Sequence, residues 1–98
     1  MAKVYFVIGG NLGNRENFLE RTKSLISERI GFVLRTSSVY ESEPWGFEHQ
    51  NNFLNQVLMV DTQLSPAAIL LEISFIEGVL GRERNGNSFG PRTADIDI

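Results

Sequence analysis

The chain contains no cysteine, which excludes disulfides and thiolate metal sites outright. Its single histidine, His49, lies in a polar stretch with no partner at ligand spacing, so an imidazole-based metal cluster is not expected. Any metal would have to be held by oxygen, which favours hard cations such as Mg²⁺. A basic excess is also missing. Nine Lys and Arg stand against twelve Asp and Glu, a net charge of −3, which argues against a general nucleic-acid or membrane-surface binder. Long apolar runs are absent too. Val4–Ile8 stops at Gly9-Gly10-Asn11, far short of a signal core or of the ~20 residues that span a bilayer. No repeat, low-complexity tract or linker interrupts the sequence. The expectation from these absences is a soluble cytoplasmic protein.

What is present is ordinary globular composition, 42% apolar and 21% charged over 98 residues, enough for one domain and its own core. Val4 to Ile8 reads as a buried strand ended by a Gly-Gly-Asn turn. From Asn14 the period changes. Phe18, Leu19, Thr22, Leu25, Ile26 and Ile30 fall at helical spacing, with Asn14 as N-cap and Gly31 as the stop. Phe32 to Tyr40 reads as a second strand, Glu41 to Asn52 as a loop, and Phe53 to Thr62 as a third strand. Ser65-Pro66 opens a second helix whose stripe is Ile69, Leu70, Ile73, Ile76 and Leu80, with Gly81 as its end. Gly81 to Arg92 then forms a long loop, and Thr93 to Ile98 alternates as a last strand. The order βαββαβ predicts an α+β fold of ferredoxin-like type, an antiparallel sheet with two helices on one face. That fold serves many functions, so the chemistry must come from particular residues.

Asp95 and Asp97 sit two apart on the last strand, which puts them on one face roughly 6–7 Å apart. Side by side they repel unless a cation lies between them, and a Mg²⁺ pair ~3.5–4 Å apart suits phosphoryl-type transfer. The competing reading is the solvated face of an edge strand. Arg82, Arg84 and Arg92 bracket a segment containing Gly86, Gly90 and Pro91. Guanidinium forks bind phosphate oxygens bidentately, and a glycine-rich connection can close over a polyphosphate and reopen. The same arginines would equally pair with Glu83 on a surface loop. Phe53 and Asn55 share a strand face, an aromatic plane beside a donor–acceptor amide that suits a flat heterocycle. A core phenylalanine and a strand-start asparagine would look the same. Trp45 and Phe89, on the two loops, either stack on an aromatic ligand or pin the loops. Glu77 either hydrogen-bonds a base or is solvated. Gly9 to Asn14 lacks a phosphate-loop ending and reads as a turn and cap.

Phe89-Gly90-Pro91-Arg92-Thr93-Ala94-Asp95-Ile96-Asp97-Ile98 closely resembles the signature of the hydroxymethyldihydropterin pyrophosphokinases, enzymes of folate synthesis. Ile8 to Gly13 is similar to the family's opening Gly-Ser-Asn-Leu-Gly, with Gly10 in place of serine. Ser37 to Gly46 resembles the pterin-loop segment, and Phe53-Leu54-Asn55-Gln56-Val57 the third strand. The resemblance implies transfer of diphosphate from ATP to the hydroxymethyl group of 6-hydroxymethyl-7,8-dihydropterin, with AMP leaving. It implies that Asp95 and Asp97 coordinate two Mg²⁺ and that Arg82 and Arg92 hold phosphate oxygens, with Arg84 in support. It implies that Phe53 stacks on the pterin and Asn55 bonds its edge, helped by the backbone of Ser42, Glu43, Pro44, Trp45 and Gly46, with Phe89 and Asp95 close by. Glu77 and Ile98 would lie against the nucleotide. A monomer without nucleic-acid or membrane partners is expected. Family members continue past the Asp-Ile-Asp-Ile strand. Residues 1–98 are therefore expected to be the N-terminal and central part, without the segment that adds ATP contacts and a second aromatic. The alternative is a non-catalytic ferredoxin-like module. An RNA-binding one would use Phe53 and the arginines, and a regulatory one would bind a small ligand.

Overall fold

The computed structural model describes residues 2–10, 14–42, 52–85 and 95–97, the stretches 82–85 and 95–97 by their backbone alone. Its elements run β1 (Ala2–Gly10), α1 (Arg15–Arg29), β2 (Gly31–Thr36), β3 (Tyr40–Ser42), β4 (Phe53–Thr62), α2 (Pro66–Asn85) and β5 (Asp95–Asp97). Both helix starts follow their capping residues. The Asn14 side chain accepts from Asn17 N–H at 3.0 Å, and Ser65 Oγ accepts from Ala68 N–H at 3.2 Å, with Pro66 in the first helical position.

The sheet runs β2-β4-β1-β5, all pairs antiparallel, with β3 also on β4. The architecture is α+β: an open antiparallel sheet with two helices. Alternation along β4 divides the two faces. Leu54, Gln56, Leu58, Val60 and Thr62 are buried, while Phe53, Asn55, Val57, Met59 and Asp61 are half-buried. The buried set joins Phe6 and Ile8 of β1, Leu19, Leu25 and Ile26 of α1, and Ile69, Ile73, Ile76 and Leu80 of α2 in one core cluster. The helices therefore cover one face, and the other is open. Ile76 is fully buried in that core. Ile76→Ala is expected to cost about 2–5 kcal/mol and to lower the urea midpoint with little change in slope.

Four local expectations are corrected. Gly9-Gly10 is strand rather than turn, since β1 pairs with β4 as far as Gly10↔Leu54. The long second strand is divided. β2 carries an irregularity between Val33 and Arg35 and ends at Thr36, and β3 resumes at Tyr40, so Glu41 and Ser42 belong to the sheet rather than to the loop. At the break, Ser37 takes over the ladder. Its N–H donates to Val57 O and its Oγ accepts from Val57 N–H, both at 2.8 Å, while Gln56 Nε2 donates to Ser37 O at 2.7 Å. Gly81 does not end α2, which runs four residues further to Asn85. A Cβ there would meet nothing within 4 Å, and the good helix formers Arg82-Glu83-Arg84 outweigh the ~1 kcal/mol helical cost of one glycine.

Gly31 does follow the end of α1, but for a different reason than a left-handed cap. Ile30 closes the helix through its N–H to Ile26 O at 2.9 Å, and Thr62 Oγ1 donates to Ile30 O at 2.6 Å. The chain then presses against β4 so closely that a Cβ at Gly31 would lie 2.1 Å from Asp61 O.

Candidate functional site

The ladder brings the sequence candidates to one end of the open face. Tyr40 of β3 lies opposite Asn55 of β4, Asn55 opposite Gly9 of β1, and Gly9 opposite Asp95 of β5. One row therefore crosses four strands at ~4.8 Å per step, from the asparagine to the first carboxylate position. The next row runs Val57–Val7–Asp97. Asp95 and Asp97 thus stand on the sheet edge beside β1, two strands from Asn55.

Ser42 pairs with Phe53 in the ladder, and its hydroxyl accepts a hydrogen bond from Asn55 Nδ2 at 2.8 Å, the diagonal contact of an antiparallel pair. Phe53 is half-buried on the open face and is not part of the core, so the reading of it as a core phenylalanine is set aside. Glu77 is half-buried on α2. Because α2 extends to Asn85, Arg82 and Arg84 sit on its last turn rather than in a loop. Two residues apart, they occupy positions about 200° apart around the helix axis. Glu43, Pro44, Trp45, Gly46, Phe89, Arg92 and Ile98 lie outside the described residues, as does most of each expected closing loop.

The base of the 43–51 segment is tied on both sides. Arg15 Nη1 donates to Asn52 O at 2.8 Å, and Asn52 Nδ2 donates to Glu41 Oε2 at 3.3 Å. Two hollows lie away from this cluster. One, of ≈ 200 Å³, is on the open face among Tyr5, Arg35, Thr36, Ser37, Val57 and Met59. The other, of ≈ 400 Å³, is bordered by Glu16, Leu19, Glu20 and Val39. Neither is lined by a residue given a catalytic, substrate-binding or metal-binding role above.

Two features of the site escape a reading of the sequence. The expectation for Ser42 rested on its backbone, whereas its side chain orients Asn55. Gly9 looked like part of a turn, whereas it is the strand position between Asn55 and Asp95. Both depend on strand partners far away in the chain, which local periodicity does not reveal.

Comparison with known proteins gives concordant results. The family model for 7,8-dihydro-6-hydroxymethylpterin-pyrophosphokinase matches residues 5–98. A Porphyromonas gingivalis protein named 2-amino-4-hydroxy-6-hydroxymethyldihydropteridine pyrophosphokinase is 42% identical over 100 residues, covering 100% of this chain and 68% of the relative. Proteins of the same name from Aquifex aeolicus and Bacillus subtilis are 42% and 40% identical, over 100% and 96% of this chain. The chain spans 60% and 56% of those two relatives.

Proposed function

This chain belongs to the 7,8-dihydro-6-hydroxymethylpterin-pyrophosphokinase family, and on that premise we propose that it carries the pterin- and metal-facing strands of a diphosphotransferase. The reaction is transfer of diphosphate from ATP to the hydroxymethyl group of 6-hydroxymethyl-7,8-dihydropterin, with release of AMP, in folate synthesis. The observation that carries this reading is the cross-sheet row Asn55–Gly9–Asp95, which sets a heterocycle-reading amide and a carboxylate position on one end of one sheet. Family membership supports this reading over the RNA-binding and regulatory alternatives.

The donor set fits Mg²⁺. Asp95 and Asp97 supply hard oxygen ligands at alternate positions of a strand. When bound, such ions would supply the positive charge that phosphate transfer needs, held by Asp95 and Asp97. The chain's own residues do the rest. Phe53 offers an aromatic plane, and Asn55, held by Ser42, offers its remaining N–H and its carbonyl to the pterin edge. Arg82 and Arg92 act as phosphate ligands with Arg84 in support, Glu77 and Ile98 contact the nucleotide, and Glu43 to Gly46 with Phe89 contribute to pterin binding. Rate in such a reaction comes mainly from positioning and electrostatics.

The strand order β2-β4-β1-β5, with β2 and β3 as two lengths of one strand, supports the ferredoxin-like βαββαβ reading. No helix among the described residues is long and apolar enough to cross a membrane. A cytoplasmic monomer is the form we propose.

The test is isothermal titration of a non-hydrolysable ATP analogue with and without Mg²⁺, followed by 6-hydroxymethylpterin. The full-length Porphyromonas gingivalis relative serves as the positive control. Binding of the analogue that requires Mg²⁺, and that strengthens pterin binding, is the expected result. Binding by the control and none by this chain would overturn the proposal that these strands hold the ligands by themselves.

A further inference from the structure

We propose that Gly9 is a positioning residue for Asn55, kept free of a side chain so that the Asn55 carboxamide can lie flat across the sheet. The inference deepens the reading of Asn55 as the pterin-edge contact and rests on it. Along β1 the open-face positions Tyr5 and Val7 are exposed, at 60% and 38%. Gly9 continues that row yet is buried. A Cβ built on it would lie 2.7 Å from Asn55 Oδ1 and 3.6 Å from Asn55 Cγ, so the asparagine's own amide covers it. At its other end the amide is held by Ser42, whose Oγ accepts from Nδ2 at 2.8 Å.

These two contacts hold the group in place between β3 and β1. The nitrogen end is tied towards β3, and the oxygen end is seated over β1, on the side of β5. One N–H and the carbonyl lone pairs remain for a ligand. Such an edge selects a flat heterocycle whose donor and acceptor are adjacent, with its donor on the Asp95 side. A methyl group at position 9 would take the seat of the oxygen. The nearest atom is the end of a side chain, so the amide yields first. The nearest backbone atom, Leu54 O at 3.2 Å, needs only a few tenths of an ångström. Gly9→Ala should therefore leave a folded protein with a displaced Asn55.

Two readouts of Gly9→Ala separate this inference from the reading beneath it. In the ligand-free chain, the Asn55 side-chain NH₂ cross-peaks in a ¹⁵N–¹H correlation spectrum, identified by their loss in Asn55→Asp, are expected to move. Ser42→Ala should move them too. In titrations, 6-hydroxymethylpterin affinity is expected to fall at least about tenfold while Mg²⁺-dependent nucleotide binding holds. In an Asn55→Ala background, Gly9→Ala should cost nothing more. Unmoved cross-peaks, or losses that add in the double variant, would overturn the role of Gly9. Moved cross-peaks in a chain that binds no pterin would keep that role and discard the pterin reading. Should Gly9→Ala lower thermal stability, Asn55→Ser decides the cause. The cost should vanish with the shorter side chain, and its persistence would mean that Gly9 serves only the backbone packing.

Discussion

Replacement of Asp97 by alanine is expected to abolish Mg²⁺-dependent binding of an ATP analogue, a loss of about 100-fold or more, while the chain stays folded. Loss of a group that merely orients a metal ligand already costs about 10–100-fold in metal affinity, and removal of a ligand itself should cost no less. The fold is spared because Asp97 pairs with Val7, which is exposed on the open face of β1, whereas the core is built from the alternate positions Phe6 and Ile8 and the helices behind them. Asp97→Asn separates charge from shape: it keeps an oxygen ligand and removes the negative charge, so an intermediate loss is expected. Titration of the analogue at several Mg²⁺ concentrations reads both variants. An affinity for Mg²⁺-nucleotide equal to that of the parent chain would remove Asp97 from the metal site.

Gly31→Ala is expected to be among the most damaging single-methyl changes available to the described fold. Its Cβ would fall 2.1 Å from Asp61 O, 2.9 Å from Asp61 C and 3.0 Å from Thr62 Cα, all backbone atoms of β4 that cannot swing aside. Relief requires β2 to part from the end of β4, where Thr62 Oγ1 also holds Ile30 O. Overpacking of this kind costs about 1–3 kcal/mol and sometimes more. For a domain of this size, about 3 kcal/mol corresponds to a fall in Tm of roughly 12–24 °C. A thermal melt of the variant within a few degrees of the parent would show that β2 yields freely. By contrast, Gly81→Ala should stabilise the chain slightly, since a methyl group there meets nothing within 4 Å and alanine is the better helix former.

The three glycines Gly9, Gly31 and Gly81 show where sequence reading succeeds and where it stops. All three resemble punctuation between periodic segments. One follows a helix because the next strand passes too close for a side chain, one lies unremarked inside a helix, and one is a strand position under an asparagine amide. What decides among them is the distance to another strand, which no window of local sequence contains. The caps at Asn14 and Ser65 were readable because their partners lie three residues away, at Asn17 and Ala68. The alternation of β4 was readable because one face of that strand meets the core along its whole length. The pairing of Asp95 and Asp97 as alternate strand residues follows from period two alone. Their neighbours Gly9 and Val7, some ninety positions earlier in the chain, follow only from the topology.

That last pairing bears on how the molecule assembles. Strands β2, β4 and β1 and both helices are complete by Asn85, whereas β5 must close a long loop back to the first strand of the chain. Each doubling of loop length adds only about 0.6 kcal/mol of closure entropy, but such distant pairings come late in folding. The strand bearing both aspartates makes the pairing of largest sequence separation in the described sheet. A ligand that gathered those aspartates would add its binding free energy to that pairing above all others.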